Sequence, residues 1–367
     1  MAQLTRRSFV SLSGTALVTA LLAGCSSGGG SGDAGSASSG GGKAIYVLTP
    51  SEDHGWTGSV ATFAKAKIKE VNDEGTYKAE LQTADTAEKQ ISEVEDILAG
   101  DTSQIAGIVI QPMDDTLQSA IQSIVDAGIP YVAFDRIIDA VSSSAVSNVK
   151  GDNEGIGAGS AAYFVENGMK PGDKVYIFQG DTSSVTTLRD QGFTEYLLGK
   201  LEFDGAKVPD DAKWTQDQID SAITKSGAMN WSRSDTKAAF ETLLADESNA
   251  QIKWWYAEDD ELAMGILEAL NGGGVPDSAK EKLFATKPFI TGCGGLDEYY
   301  EVIRGNSYQD IASQLGGVMS VTYSPSMIQT AIQDMVDHLE GKKVEQDHVI
   351  ECHNVTSENV DEFESFK

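Results

Sequence analysis

The sequence predicts an α/β protein of two similar lobes, each built on a parallel sheet. Three observations lead there. From Lys43 onward, short apolar runs of strand length alternate with segments whose apolar residues recur at helical spacing. Such alternation means βαβ units and parallel strands. The strands are too many for one ordinary doubly wound domain, and 367 residues exceed the usual size of one.

Taken in order, residues 44–48 read as a strand, 57–71 as a helix and 78–83 as a strand. Residues 87–98 form an amphipathic helix, with Ile91, Val94, Ile97 and Leu98 on one face. A buried strand at 105–110 follows. The helix at 116–127 places Leu117, Ile121, Ile124 and Val125 on one side, and Gly128 ends it. Ile129 to Phe134 is an apolar, β-branched and aromatic run, the mark of a strand buried on both faces. A second series continues with an extended stretch at 144–149, a helix at 154–167, a strand at 174–178 and a helix at 187–198. Residues 200–230 read as polar and irregular. Helices at 234–244, 261–270, 296–304 and 326–339 then alternate with strands at 252–256, 289–291, 319–323 and 349–352.

The first 24 residues carry Arg6 and Arg7, no acid, and an apolar stretch too short and too polar to span a membrane comfortably. They read as a lipoprotein signal peptide, with Thr5-Arg6-Arg7-Ser8-Phe9-Val10 matching a twin-arginine pattern. Two arginines also suit an ordinary secretory leader. Leu22-Ala23-Gly24-Cys25 resembles a bacterial lipobox, which makes Cys25 the lipidated new N-terminus. Residues 25–42 are nearly all Gly, Ser and Ala, a flexible coil. The seventeen residues after Cys25 reach roughly 20–25 Å, enough to tether a globular body to the outer face of the bacterial cell membrane. Several acyl chains anchor stably where one does not.

The formal net charge is −29, and no basic run interrupts it. That excludes phosphate-backbone binding, so no nucleic-acid partner is expected. Cys293 and Cys352 match no close zinc spacing; one disulfide or two buried thiols both fit. On a strand His348 and Cys352 share a face while His353 points away, so no metal set forms. Asp114-Asp115 caps the following helix, and Asp260-Glu261 sits in a first helical turn, where the dipole favours acids. No Gly-x-Ser-x-Gly elbow, phosphate loop or HExxH motif is present, and no cofactor is expected.

The buried run 129–134 stops at Asp135-Arg136. In open α/β sheets ligands sit beyond the carboxyl ends of the strands. A carboxylate accepts about four hydrogen bonds and a guanidinium donates five. Together they suit a neutral polyol; a local ion pair closing the strand is the plain alternative.

Several blocks, in order and spacing, carry a family likeness. The first is Asp85, Gln90 and Ile97 with Gly107-Ile108-Val109-Ile110-Gln111-Pro112, Ala127-Gly128-Ile129-Pro130 and Asp135-Arg136. Then come Val149-Lys150-Gly151-Asp152-Asn153 with Gly157, and Gly180 with Arg189, Gly192 and Phe193. Asp259-Asp260-Glu261-Leu262-Ala263-Met264-Gly265 and the tail from Val321 to Val360 complete it. The body, from about Ala44 to Phe366, resembles the sugar-binding proteins of bacterial ABC uptake systems, the ribose/galactose-type periplasmic binding proteins.

The resemblance implies the type I fold: two doubly wound parallel-sheet lobes joined by a three-strand hinge. The N-terminal lobe would take 43–150 plus about 323–347, the C-terminal lobe 151–322 plus about 348–367. It also implies ligand contacts. Asp135 and Arg136 would bind hydroxyls from the first lobe and Arg189 from the second. Trp56, in Asp53-His54-Gly55-Trp56, falls where the family places ring-stacking aromatics, with His54 beside it. Apolar sugar C–H faces pack on such rings. Trp231, Asp259 and Tyr323 complete the candidate set, Trp231 being either a second stacking ring or a packing residue. The sequence departs from the family where a common Gly-x-Asp-Gly is Gly292-Cys293-Gly294-Gly295, and where a frequent glutamine is replaced by Thr322 or Tyr323. The implied partners are a small sugar and the membrane permease of an ABC importer, with the receptor a monomer. A sensor subunit for a sugar, nucleoside or autoinducer uses the same fold. A secreted carbohydrate-active enzyme using paired carboxylates is the remaining alternative.

Overall fold

Two six-stranded sheets account for the body. The computed structural model describes residues 42–51 and 55–367. The first series is β1 (Ala44–Pro50), α1 (Gly55–Glu74), β2 (Lys78–Ala84), α2 (Ala87–Ala99), β3 (Ile105–Ile110), α3 (Gln118–Asp126), β4 (Tyr131–Phe134), α4 (Asp139–Ser142) and β5 (Ser147–Gly151). The second runs α5 (Asn153–Glu166), β6 (Val175–Phe178), α6 (Ser184–Leu197), β7 (Glu202–Phe203), β8 (Ala206–Lys207), α7 (Gln216–Ala222), β9 (Ile223–Lys225), α8 (Arg233–Leu244), β10 (Trp254–Ala257) and α9 (Asp260–Asn271). It continues with α10 (Asp277–Ala285), β11 (Phe289–Gly294), α11 (Asp297–Ile303), α12 (Gln309–Ala312) and β12 (Gly317–Thr322). The chain closes with α13 (Met327–Leu339), β13 (Asp347–Ile350) and β14 (Asn354–Val355). Among the described residues no helix is long and apolar enough to cross a membrane.

The first sheet has the order β13-β5-β4-β3-β1-β2, with every pair parallel. The second has the order β14-β12-β11-β10-β6-β9, parallel except for β14 on β12. Renumbered within each lobe, both cores follow the same doubly wound order, with the strand direction of progression reversing beside β1 and beside β6. Such switch points open a crevice at the carboxyl ends of the strands. The predicted pair of α/β parallel-sheet lobes is therefore the observed architecture.

Hydrophobic pattern explains which strands lie inside. All six residues of β3 and all four of β4 are buried, as their unbroken apolar runs require. Burying each Val or Ile contributes about 1.5–3 kcal/mol relative to exposure. α13 lies on β3, β4 and β5. A Cβ at Gly107 would fall 2.3 Å from Met335 Sδ, so the glycine lets this helix sit close. α5 and α6 cross still more tightly, through Gly157 and Gly192. Trp254 and Trp255 are core residues.

The chain passes between the sheets three times: from β5 into α5, from β12 into α13, and from β13 into β14. The expectation for the third crossing needs correction. The resemblance places residues from about 348 in the second lobe, yet Asp347–Ile350 pairs with β5 in the first sheet, and only β14 joins the second. Periodicity marks a strand but does not name its partner. The stretch 200–230 is also more ordered than expected. Asp204 and Gly205, at φ 48° and 72°, turn a β7–β8 hairpin, and β9 forms the sheet edge beside β6. Cys293 and Cys352 are buried free thiols, not a disulfide.

Candidate functional site

Six of the eight candidate side chains converge where the carboxyl ends of the two sheets meet the hinge. Asp135 ends β4 in the left-handed region, at φ 64°. Aspartate tolerates that conformation better than most residues, and here it turns the carboxylate inward. Oδ2 accepts a hydrogen bond from Gln111 Nε2 at 2.8 Å, and Oδ1 accepts one from the Tyr323 hydroxyl. Burial, with Asp135 beside it, pushes the Tyr323 phenol up, so it stays a proton donor. Tyr323 opens the second hinge crossing, and its ring lies against Gly151 of the first; a Cβ there would meet Cε2 at 2.2 Å.

Arg136 reaches across the lobes. Nη1 donates to Met113 O at 2.5 Å and Nη2 contacts Asp181 Oδ2 at 3.4 Å. Asp181 belongs to the turn after β6. Burial alone would raise its carboxyl, but Ser183 hydrogen bonds and Arg136 outweigh that and hold it below the usual value. The same Oδ2 accepts Trp231 Nε1 at 3.0 Å.

From the second lobe, Arg189 on α6 is 2% exposed. Nε donates to Asn153 Oδ1 at 3.0 Å, and Nη1 donates to the Glu258 carbonyl. Its guanidinium lies 4.8 Å from the Tyr323 ring centroid and 5.3 Å from that of Trp231, within cation–π range. Trp231 sits at φ 58°, next to Asn230 at 51°. Two successive non-glycine residues in that region store strain, a common property of ligand-facing turns. The indole packs where Gly180 lacks a side chain. From the first lobe Trp56 stacks on Tyr323 at 5.3 Å and on Phe134 at 6.2 Å, and its Nε1 donates to Tyr323 O.

Asp259 borders the cluster within electrostatic reach of Arg189. It caps α9, its Oδ1 accepting Glu261 N at 2.7 Å. Loss of water around it, then Asp260, raise its carboxyl to about 8. Asp260 serves the fold: it accepts Gly295 N, Leu296 N and Ser320 Oγ, more than the dipole role expected. His54 and Cys25 lie outside the described residues, as does the leader. His348 binds Asp334 Oδ2 through Nδ1.

Sequence reasoning passed over Asp181 and the cleft contacts of Gln111 and Asn153, although Gln111 and Asn153 stood within the quoted blocks. Their signal was position: each lies within three residues of a strand's carboxyl end. Among the described residues, buried Gln111 Oε1 and Arg136 Nε have no hydrogen-bond partner. Chemically, the cluster offers carboxylate acceptors, two guanidinium forks and indole faces on opposite sides of one seam. A groove of about 500 Å³, lined by Thr186, Asp190, Glu195 and Lys225, shares Asp181 with it but takes nothing from the first lobe.

Comparison with known proteins agrees with this architecture. The profile of the periplasmic binding protein domain matches residues 45–343. The chain belongs to the periplasmic binding protein family. It is 27% identical over 211 residues to the ribose import binding protein RbsB of Bacillus subtilis, covering 56% of this chain and 59% of that protein. The fructose import binding protein FruE of Bifidobacterium longum is 25% identical over 243 residues, covering 65% and 61%. Each match spans less than two thirds of the relative's own length. Among solved structures, a galactofuranose binding protein superposes with a TM-score of 0.66 at 20% identity, over 87% of this chain and 96% of that one.

Proposed function

We propose that the protein is a lipid-anchored extracytoplasmic receptor that captures a sugar between its lobes and delivers it to the permease of an ABC importer. The observation that carries the reading is the meeting of Asp135 and Arg136 from one lobe with Arg189 and Trp231 from the other, around Tyr323 of the hinge. Opposed forked ions and flat indoles match hydroxyls on a ring edge and C–H groups on its face. The names of the relatives, which import ribose and fructose, support the same ligand class. Ligand contacts made from both lobes favour the closed arrangement and shift the population toward it. No bond is made or broken.

A thermal-shift screen against monosaccharides, polyols and nucleosides tests the reading. A sugar at 100 times its dissociation constant is expected to add about 2.7 kcal/mol. A screen in which nucleosides shift the melt and no sugar does would replace the ligand class, and released product in any well would make the protein an enzyme. Anchoring rests on Cys25 alone. Cys25→Ser, expressed in the native host, is expected to move the protein from the membrane fraction to the medium or periplasm. Retention in the membrane would refute the lipid anchor.

A further inference from the structure

Behind the seam lies a carboxyl that none of its contacts explains. Glu258, just after β10, is fully buried. Its N–H donates to Phe178 O at 3.1 Å, its Oε2 accepts Gly180 N at 2.8 Å, and its carbonyl accepts Arg189 Nη1. One residue thus ties the end of β6, the helix α6 and the strand β10. Both groups it holds are parts of the candidate site: Arg189 itself, and Gly180, on which the Trp231 ring rests.

Oε1 of Glu258 has no partner among the described residues, and neither has Oδ1 of Asp190. Asp190 is 8% exposed, and its other oxygen accepts Gln179 Nε2 at 2.7 Å and Lys225 Nζ at 2.9 Å. The groups facing Glu258 are Asp190, Arg189 and the Thr186 hydroxyl from α6 and Tyr256 from its own strand. Cys293 of β11 faces Arg189 and Tyr256, and Lys225 of β9 acts through Asp190. The Thr186 hydroxyl offsets part of a charge on Glu258, but a second buried negative charge beside Asp190 is costly. Burial first, and Asp190 second, raise the Glu258 carboxyl well above its usual range.

We propose that Glu258 is a positioning residue for the cleft: as the neutral acid beside Asp190, it fixes Gly180 and Arg189 and thereby sets the Trp231 wall. The inference rests on reading Arg189 and Trp231 as ligand contacts. An acid whose folded value is raised contributes stability that is complete below its unfolded value and is lost as pH rises through the folded one. Losing that proton on the alkaline side of neutral therefore loosens the wall.

The test is tryptophan fluorescence of the ligand-free mature protein from pH 5 to pH 10. The wild type is expected to show a transition on the alkaline side of pH 7. Trp231→Phe removes the signal and assigns it, Glu258→Gln removes the transition, and Asp190→Asn moves it to lower pH. A transition that survives Glu258→Gln, or that ignores Asp190→Asn, overturns the proposal. Calorimetry with D-ribose and D-fructose at pH 6 and pH 9 adds the second readout. Wild-type affinity is expected to weaken at least tenfold at pH 9, Glu258→Gln to hold its affinity at both, and Glu258→Ala to bind weakly at both. Unchanged wild-type affinity at pH 9 overturns the role. A protein that binds neither sugar at any pH, yet keeps the fluorescence transition, counts against the sugar reading and supports the positioning of the wall.

Discussion

Alanine at position 135 is expected to reduce sugar affinity by roughly 100-fold or more, because it deletes two acceptor positions whose hydrogen bonds to an ionised group contribute about 1.5–3 kcal/mol each. Asp135 is 7% exposed, so water cannot replace it. The fold should survive with a lower melting point. Gln111 and the Tyr323 hydroxyl lose their acceptor, at about 1–3 kcal/mol for each buried group left unpaired. Alanine also suits φ 64° less well than aspartate does. Asp135→Asn separates the two effects: it tolerates the backbone and still accepts from Tyr323, but carries no charge. It should melt near the wild type and bind more weakly. Wild-type affinity in Asp135→Ala, measured by calorimetry, removes the proposed site.

Gly192→Ala is expected to be the most destabilising single methyl in the second lobe. A Cβ there would fall 1.9 Å from Glu154 O, 2.6 Å from its carbonyl carbon and 2.7 Å from its Cα. From the other side, a Cβ at Gly157 would fall 2.0 Å from Arg189 O and 2.5 Å from Phe193 N. Every clashing atom is backbone, so no rotamer change relieves it and the helices must part. Overpacking of this severity costs about 3 kcal/mol or more, and at roughly 2–4 °C per kcal/mol the melt should drop by roughly 6–12 °C. Binding should weaken with it, since α5 brings Asn153 and α6 brings Arg189 to the seam. A melt within 2 °C of the wild type would mean the two helices do not rely on glycine contact. Gly75→Ala is the comparison: nothing lies within 4 Å, but φ is 78°, so only local backbone strain is added.

Strand–helix alternation was enough to read the lobes, because central strands such as β3 and β4 are continuous apolar runs and the covering helices keep their own period. The placement of Asp135 at a strand end, and of Arg189 opposite it, followed from the same reading and from family likeness. What the sequence hid was partnership. Asp347–Ile350 alternates half-buried and exposed residues, a pattern that fits an edge in either sheet, and only the pairing with β5 decides. The Asp204-Gly205 hairpin signal was present but lay inside a polar stretch with no apolar run to anchor it. Glu258 was invisible for another reason: a glutamate beside two aspartates reads as a solvated cluster, and only the fold reveals that its side chain has no water to meet. Asp259 shows a second hidden contact: family likeness pointed to a ligand residue, and only the fold reveals that one of its oxygens also caps α9.

The order in which the lobes are completed has a consequence for synthesis. α13 and β13, which cover and edge the first sheet, are encoded after the whole core of the second. On a ribosome adding about 5–20 residues per second, the roughly 200 residues between β5 and β13 delay closure of the first sheet by roughly 10–40 s. During that interval β5 presents an unpaired edge and the Gly107 surface awaits Met335. The nascent first lobe is therefore the stretch on which a chaperone has the longest time to act.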